Sequence, residues 1–537
     1  MGDSFFSLCE RSGALWFPED ASDTQQLFYE SVAQFATEEM ATAEATLEAR
    51  DTGVARQCFQ QCAELGVFAA ELDESDGGLG FGIVDATLLC EALGRGHSLS
   101  VGLMVHQGVG MLPIAGFGSE AQRAHYLPAA AAGECIMAFA LTEPHCGSDA
   151  LALRTSATPN GTDYVLNGAK QFITNGAYAG CFITFARVPE LGITAFLVDR
   201  ETPGLTIGPE EEKLGQHASS TCSVFYENVR IPASQVLGEP GQGHRIALNM
   251  LNLGRLKLAA ASVGKMKQLL PAALAYTLER EAFGHSLADF GMVRDRLARM
   301  ASQLFVVESA VYRVAGKMEE ALAHARQKHG ALTGAKRLAV LQDFAFECAL
   351  VKSLATESLG TFTDDMLQLY GGYGFSEEYP AAKAFRDARV TRLYEGTTEI
   401  CRLTMMQRLW TEQESTLSEA PGNQAGIPGQ KALVREILSG YEVTALRQQG
   451  ITGALMAICE RIYAAESALL RKGDTHEATA FFVATSTADN LSDFHRIAGH
   501  LGRNDWCGIL TESRFPVADT VALRDRLMAR LQTGEAL

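Results

Sequence analysis

The chain has 537 residues, 47% hydrophobic, 20% charged and 8% aromatic, a globular composition that excludes disordered and fibrous classes. At about 100–200 residues per domain, three or four structural units are expected. Asp and Glu outnumber Lys and Arg by 64 to 45, and the resulting net charge of −19 argues against non-specific nucleic-acid binding, which draws on cationic contacts to phosphate.

The N-terminal segment Met1-Gly2-Asp3-Ser4-Phe5-Phe6-Ser7 has no basic region and no long apolar stretch, so neither a secretory signal nor an Arg-rich transit peptide is expected. Gly2 suggests myristoylation, but Phe6 stands where Ser or Thr is needed. The chain reads as lacking an uncharged apolar run of about 18 residues, so no transmembrane segment is expected. The 12 cysteines run from Cys9 to Cys507, with Cys58 and Cys62 the only close pair, and none joins a histidine at zinc-ligand spacing. Reduced, buried thiols in a cytoplasmic protein, with no metal site, are expected.

Residues 1–138 read as an N-terminal helical domain. Phe28, Val32, Phe35 and Ala36 recur at helical spacing, as do Phe59, Cys62, Leu65 and Phe68, and Gly77-Gly78-Leu79-Gly80 interrupts the pattern as a loop. From 139 to 238 the texture changes to short segments rich in β-formers: Tyr164-Val165-Leu166, Phe172-Ile173-Thr174, Phe182 to Phe185, Thr194 to Val198 and Ser223 to Tyr226. Turn residues such as Pro159-Asn160-Gly161 and Asn167-Gly168 separate them, which predicts a β-barrel or sandwich. Helical periodicity returns over 239–410, at 246–279, 290–323, 334–369 and 392–410, and reads as a helical bundle. Residues 411–430 read as a linker, with Glu412, Glu414 and Glu419 but no basic residue, and with Pro421 and Pro428 among glycines. Residues 431–537 read as an extra C-terminal helical domain with nearly balanced charge. No strongly basic amphipathic helix is evident there, so no hold on anionic lipid is expected. The fold class is therefore mainly α with a central β unit.

Several segments carry residues suited to chemistry. The first is Phe139-Ala140-Leu141-Thr142-Glu143-Pro144-His145-Cys146-Gly147-Ser148-Asp149. Gly147 and Ser148 offer backbone that can approach a phosphate closely and a hydroxyl, although the same residues make a plain turn. The second is Asn167-Gly168-Ala169-Lys170-Gln171-Phe172-Ile173-Thr174-Asn175-Gly176, where Phe172 and Thr174 lie two apart on a predicted strand and share a face. The third runs from Lys213-Leu214-Gly215-Gln216-His217 to Arg230-Ile231-Pro232. Asn252 and Arg255 lie three apart on a predicted helix and can reach one ligand together. Arg280-Glu281-Ala282-Phe283-Gly284 places a cation on a long helix, where a solvated charge is the plain alternative. Gln368-Leu369-Tyr370-Gly371-Gly372 would break a helix if idle. In Tyr394-Glu395-Gly396-Thr397-Thr398-Glu399-Ile400, Glu395 is either a cap for the following helix or a base.

Together, in this order and spacing, these segments closely resemble the acyl-CoA dehydrogenase family of flavoproteins over roughly residues 25–410. With Asn252-Leu253-Gly254-Arg255, Phe290-Gly291 and the C-terminal extension, the chain looks most like the very-long-chain branch. The resemblance implies FAD as cofactor, an acyl-CoA substrate and α,β-dehydrogenation to the trans-2-enoyl-CoA. It implies that the flavin lies along Phe139 to Ser148, with Leu141 and Thr142 near the isoalloxazine and Gly147 and Ser148 beyond, and that Ser148 also touches the acyl-CoA. Phe172, Ile173 and Thr174 would lie against the flavin; Phe172 stands where many members have Trp. Arg280 would reach the pyrophosphate of the neighbouring subunit's FAD, with Phe283 against the cofactor, while Ala282 replaces a usual Gln or Thr. Gln368, Gly371 and Gly372 would hold the ADP half across a subunit interface, which implies a homo-oligomer, at least a dimer. Glu395 would be the catalytic base, its backbone N–H helping to hold the thioester oxygen. Tyr394, Gly396, Asn252 and Arg255 would contact substrate, and Thr397 and Glu399 the FAD. Some branches carry the base on the earlier helix, at the position of Gly254 here, which leaves Glu395 without a rival.

The first expectation is therefore a medium- to long-chain acyl-CoA dehydrogenase passing electrons to an electron-transfer flavoprotein. An acyl-CoA oxidase, a dehydrogenase of carrier-protein thioesters, and an assembly or scaffold protein retaining the fold are the alternatives.

Overall fold

Period-two burial organises the middle of the chain. In a computed structural model that describes residues 5, 15–330, 332, 334–415, 427–439, 449–471, 476–501 and 519–534, eight strands form one sheet. They are β1 Met137–Ala140, β2 Ser156–Asn160, β3 Asp163–Thr174, β4 Cys181–Val188, β5 Gly192–Asp199, β6 Leu205–Glu210, β7 Thr221–Pro232 and β8 Val236–Leu237. Their order is β6-β7-β3-β2-β4-β5-β8, and β1 pairs in parallel with β4. On β7, Cys222, Val224 and Tyr226 are buried while Phe225 and Glu227 are exposed, the alternation of a strand with one face in a core. Phe182, Phe196, Leu166 and Val224 lie in that core.

The segments 164–166 and 172–174 are one strand, not the two expected, and two bulges bend it. At the first, Asn167 faces both Glu227 and Asn228, and the Asn228 N–H donates to Asn167 Oδ1 at 2.8 Å. The turn-forming pair Asn167-Gly168 thus serves an irregularity inside a strand rather than a chain reversal. At the second, Gln171 and Phe172 face Ser223, and Phe172 adopts a left-handed φ of 59°. Strands β1, β2, β6 and β8 escaped the sequence reading because they are short or polar.

By their internal contacts the described residues divide into two compact units. One comprises Ala21–Gly264 and Met318–Gln342 and contains the sheet. Its helices include Asp23–Gln34, Thr52–Glu64, Ile83–Gly94 and Glu120–Ala131. Ser22 and Ser119 start two of them with capping boxes, each serine accepting from the backbone three residues on. Leu99–Phe117 corrects the expectation that no uncharged apolar run of this length occurs: it is long and apolar enough to cross a membrane by composition, but 67% of it is buried, which accounts for its apolarity as a core helix.

A widened turn, His106–Met111, lies within that stretch. His106 is completely buried; its Nδ1 accepts from Met137 N–H and its Nε2–H donates to Ala130 O, both at 3.0 Å. Asn175 Nδ2 donates to Met137 O at 3.2 Å and to Gly102 O at 2.9 Å. A Cβ on Gly110 would stand 2.7 Å from Met137 Cβ, so glycine there permits the close approach of β1. These contacts fix the start of the strand that leads into Leu141 and Thr142.

The other unit comprises Met1–Asp20, Lys265–Lys317 and Asp343–Leu537. Residues 291–317 of helix Gly291–His329 belong to it, and helices Ala345–Tyr370 and Thr398–Ser415 pack with Ile427–Ser439, Gln449–Leu470, His476–Leu501 and Thr520–Thr533. The C-terminal helices are joined to the rest of this unit by buried ion pairs. Arg402 makes a two-pronged contact to Glu460 at 2.9 and 3.1 Å, Glu466 takes both Lys431 and Arg313, and Arg471 takes Glu308 at 2.7 Å. Burial alone would raise the Glu308 carboxyl, but Lys267 and Arg471 outweigh it and hold it well below its ordinary value. The linker is shorter than expected at both ends. Helix continues through 411–415, where no breaker occurs, and resumes at Ile427 with Pro428 in its first turn; residues 416–426 lie outside the described residues.

Burial pulls the His106 imidazole down from 6.5 to about 4, despite the bond to Ala130. The folded chain therefore keeps it neutral where the unfolded chain protonates it. The associated stability is complete above pH 6.5 and declines as the pH falls towards 4, by about 3 kcal/mol in total. Urea unfolding at pH 7 and pH 4.5 should show a smaller decline for His106→Gln than for the wild type; equal declines would exclude His106 as a source of acid lability.

Candidate active site

In the sheet-containing unit, the segment after β1 is organised by one buried lysine. Lys170 has no exposed surface; its Nζ donates to Leu141 O at 3.1 Å and to Glu143 Oε1 at 2.7 Å. Glu143 also accepts from Arg154 N–H at 2.7 Å and Thr155 N–H at 3.0 Å, and the Gln171 N–H donates to Thr142 O at 2.9 Å. Burial would raise the Glu143 carboxyl, yet the hydrogen bond and charge of Lys170, with Thr155 and Arg154, bring it below its ordinary value. Burial lowers Lys170, and Glu143 opposes that shift. The pair persists as ions because each supplies what desolvation removed.

This clamp presents Leu141, buried, and Thr142, half-buried, at the end of β1, where Phe139 packs edge-on against Phe185 at 5.0 Å. Gly147 and Ser148 follow on an exposed loop, and a Cβ on Gly147 would meet nothing within 4 Å. Along β3, Phe172 is 58% exposed and Thr174 half-buried, whereas Ile173 lies in the core, so only its backbone is available to a ligand. Asn252 and Arg255, both buried on helix Gly243–Glu279, lie within 3.4 Å of each other. His145 Nε2, Cys146 Sγ and Glu143 stand within 4.8 Å of one another, but both Glu143 oxygens already accept hydrogen bonds, so the group does not read as a metal centre.

In the helical unit, Arg280, Gln368, Gly371 and Gly372 line one cleft of about 830 Å³. Its wall includes Tyr276 and Tyr370, stacked at 4.0 Å with ring planes 10° apart, and Tyr373, over which the Arg280 guanidinium lies at 5.6 Å. Among the described residues Arg280 has no carboxylate partner. Gly371 ends helix Ala345–Tyr370 at φ 59°, ψ −132°, a conformation open essentially to glycine, and a Cβ on either glycine would meet nothing. Phe283 stands outside this cleft. It occupies the tip of a two-residue hairpin between Glu281–Ala282 and His285–Ser286, with φ 54° followed by 79° at Gly284, and its ring is 95% exposed. Such a turn favours Asn or Gly at that first position.

The remaining residues occupy one turn. Glu395 and Gly396 have φ of 56° and 88°, and helix Thr398–Ser415 begins just after them, later than the expected start at 392. Thr397 caps this helix, its Oγ1 accepting from Ile400 N–H at 3.3 Å. The capping role open to Glu395 in the sequence therefore falls to Thr397. Its own backbone N–H and the Thr397 hydroxyl hold Glu399 below its ordinary value. Tyr394 and Glu395 are half-buried.

Family descriptions match the chain in three consecutive pieces: the N-terminal domain of acyl-CoA dehydrogenase over residues 22–134, its middle domain over 138–229 and its C-terminal domain over 241–410. The chain belongs to the acyl-CoA dehydrogenase family. A probable acyl-CoA dehydrogenase of Bacillus subtilis is 34% identical over 489 residues, 85% of this chain and 82% of that one. The human mitochondrial very long-chain specific acyl-CoA dehydrogenase is 38% identical over 358 residues, 64% of this chain and only 52% of that one. The crystal structure of an acyl-CoA dehydrogenase complexed with FAD from Bacillus anthracis superposes with a TM-score of 0.88 at 31% identity, covering 97% and 96% of the two chains.

As an acyl-CoA dehydrogenase the chain is an FAD-dependent oxidoreductase. Its residues fit that cofactor: a cleft with a guanidinium that has no carboxylate partner among the described residues, and paired glycines, suits a pyrophosphate, and the exposed loop at Gly147 leaves its backbone open to a ligand. Sequence reasoning assigned no role to Lys170, Glu143 or the tyrosines of the cleft. Tyr276 stands one helical turn before Arg280, and that i, i+4 spacing was the available signal.

Lys170→Met would leave Glu143 buried without its cation, a loss typically of about 3–5 kcal/mol. Urea unfolding should show destabilisation of this order together with reduced flavin content. Unchanged stability and full flavin content would mean that the clamp is dispensable.

Proposed function

We propose that this acyl-CoA dehydrogenase converts a medium- to long-chain acyl-CoA to its trans-2-enoyl-CoA and passes the electrons to an electron-transfer flavoprotein. The observation that carries the proposal is the left-handed turn at Glu395-Gly396, which offers a half-buried carboxylate that the adjacent helix does not need as its cap. Desaturation of a thioester requires a base for the weakly acidic α-proton, and a carboxylate in a shielded position suits that task. FAD, when bound, supplies the acceptor for the hydride leaving the β-carbon. Glu395 takes the α-proton on its carboxylate, and its backbone N–H donates to the thioester oxygen as enolate character develops. Gly396, lacking a side chain, leaves room for the acyl chain. Asn252 and Arg255 bind the substrate, as do Tyr394 and Ser148.

Phe139, Leu141, Thr142, Gly147, Ser148, Phe172, Thr174 and the backbone of Ile173 hold the flavin, with Thr397 and Glu399. Arg280, Gln368, Gly371 and Gly372 hold the pyrophosphate and ADP half of the FAD of a second copy, with Phe283 against it. Support for a homodimer comes from the apolar side chains Phe283 and Met292, 95% and 83% exposed, the latter lining the same cleft.

The purified chain should be yellow, with about one FAD per chain. Glu395→Gln keeps size and backbone but removes the basic lone pair, so single-turnover flavin reduction by a saturated acyl-CoA should slow by about 10²–10⁴-fold with binding retained. Reduction at the wild-type rate would leave the proposed mechanism without a base. Arg280→Ala should weaken FAD retention by roughly 1.5–3 kcal/mol, read by dialysis and flavin absorbance; wild-type retention would remove Arg280 from the cofactor site. A scan of acyl-CoA lengths, with and without an artificial acceptor, tests the chain-length range, and rapid H₂O₂ formation would favour an oxidase.

A further inference from the structure

We propose that Lys352 and Glu357, on helix Ala345–Tyr370, are positioning residues that hold the turn carrying Glu395 in its left-handed shape. The inference rests on the assignment of Glu395 as base and extends it to residues outside the proposed substrate and cofactor contacts. Glu395 and Gly396 are consecutive left-handed residues, a backbone state that persists at a non-glycine position only where its surroundings over-determine it. Gly396 makes the second of these conformations accessible but, having no Cβ, also leaves the chain free to abandon it.

Lys352 removes that freedom. It is fully buried, and its Nζ donates to the Gly396 carbonyl oxygen at 2.6 Å. This bond fixes the peptide plane that follows Gly396, and with it the orientation in which the chain leaves Glu395. Glu357 ties down both ends of the same turn: one carboxylate oxygen accepts from Thr398 Oγ1 at 2.6 Å, the other from the Arg392 guanidinium at 3.3 Å. Gly360 completes the seat, since a Cβ there would stand 3.0 Å from Arg392 Cζ. The residues at 352, 357 and 360 lie along one side of a single helix, which thus serves as a template for positions 392–398.

A turn held at its two ends and its centre can present a carboxylate to within a few tenths of an ångström, and misplacement by about 1 Å costs roughly 10²-fold in rate. A merely structural tie would lower stability or cofactor content without acting through Glu395. The measurements that separate the two use the flavin-loaded protein: single-turnover flavin reduction by a saturated acyl-CoA, enoyl-CoA affinity from the shift in flavin absorbance, and hydrogen exchange over 392–398. They are made on wild type, Lys352→Met, Thr398→Val, Glu395→Gln and the Lys352→Met, Glu395→Gln double variant.

Lys352→Met should slow reduction by roughly 10–100-fold, leave enoyl-CoA affinity within about threefold, and speed exchange over 392–398 by about tenfold or more. Added to Glu395→Gln it should change the residual rate by less than about threefold, because a residue acting only through Glu395 has nothing left to position. Thr398→Val, which cuts one Glu357 tie and leaves Lys352 intact, should slow reduction by about three- to tenfold. Wild-type reduction in Lys352→Met alongside an inactive Glu395→Gln overturns the positioning role and leaves the base in place. A full multiplicative loss in the double variant overturns it as well. If Lys352→Met fails to retain flavin, wild-type reduction and exchange in Thr398→Val overturn the proposal. Wild-type reduction in Glu395→Gln removes the base itself, a separate failure.

Discussion

Left-handed backbone is unfavourable for every residue with a Cβ, and the proposed chemistry of this chain depends on residues in that state. Phe172, Phe283 and Glu395 all have positive φ, in a strand bulge, a hairpin tip and a turn before a helix. None is an Asn or Gly, the residues that tolerate the conformation. Phe283 takes this shape at an exposed hairpin tip, whereas near Phe172 and Glu395 the backbone is held by buried polar side chains. In the sheet-containing unit, Lys170 and Glu143 pin the segment after β1, and the Gln171 N–H adjoining the Phe172 bulge bonds that segment at Thr142. In the helical unit, Lys352 bonds Gly396 directly.

Lys170 and Lys352 are the charged members among the largest fully buried side chains. Burying a lysine is costly unless each amine hydrogen finds an acceptor, so a core built for stability alone would use an apolar residue. Both lysines bond backbone carbonyls within segments that hold proposed site residues, Leu141 and Gly396. The interaction supplies definition of backbone position, which a methionine or leucine in the same volume cannot.

The same device recurs at larger scale in the helical unit. Arg402 with Glu460, Arg313 with Glu466, and Arg471 with Glu308 join the C-terminal helices to the bundle through desolvated pairs, and Lys431 joins two of the C-terminal helices to each other at Glu466. Such pairs demand specific geometry, since a slipped helix would strand a charge in the interior. The near-balanced charge that the sequence shows for 431–537 is thus partly spent inside the unit rather than displayed to solvent.

The sequence by itself determined the elements whose signal is local. Helix-period apolar spacing located Gly243–Glu279 and Gly291–His329 to within a few residues at most points, and β-rich runs bounded by turn residues located β4, β5 and β7. The resemblance to the family also singled out Arg280, Gln368, Gly371 and Gly372, which line one cleft; of these only the glycine pair, which would break a helix if idle, carries a signal of its own. Tertiary structure alone decided the rest. Asn167-Gly168 reads as a turn but lies within a long strand, because pairing to β7 absorbs the irregularity as a bulge. The uncharged apolar run Leu99–Phe117, which the sequence reading missed, is mostly buried, and apolarity records burial and not what provides it. Glu395 could have been the cap, but Thr397 takes that place, and no rule of spacing chooses between neighbours competing for one backbone N–H. Lys170 and Lys352 carry no local signal at all. Their partners lie 27 to 44 residues away along the chain, and a bond over that separation exists only once the fold has brought the two backbones together.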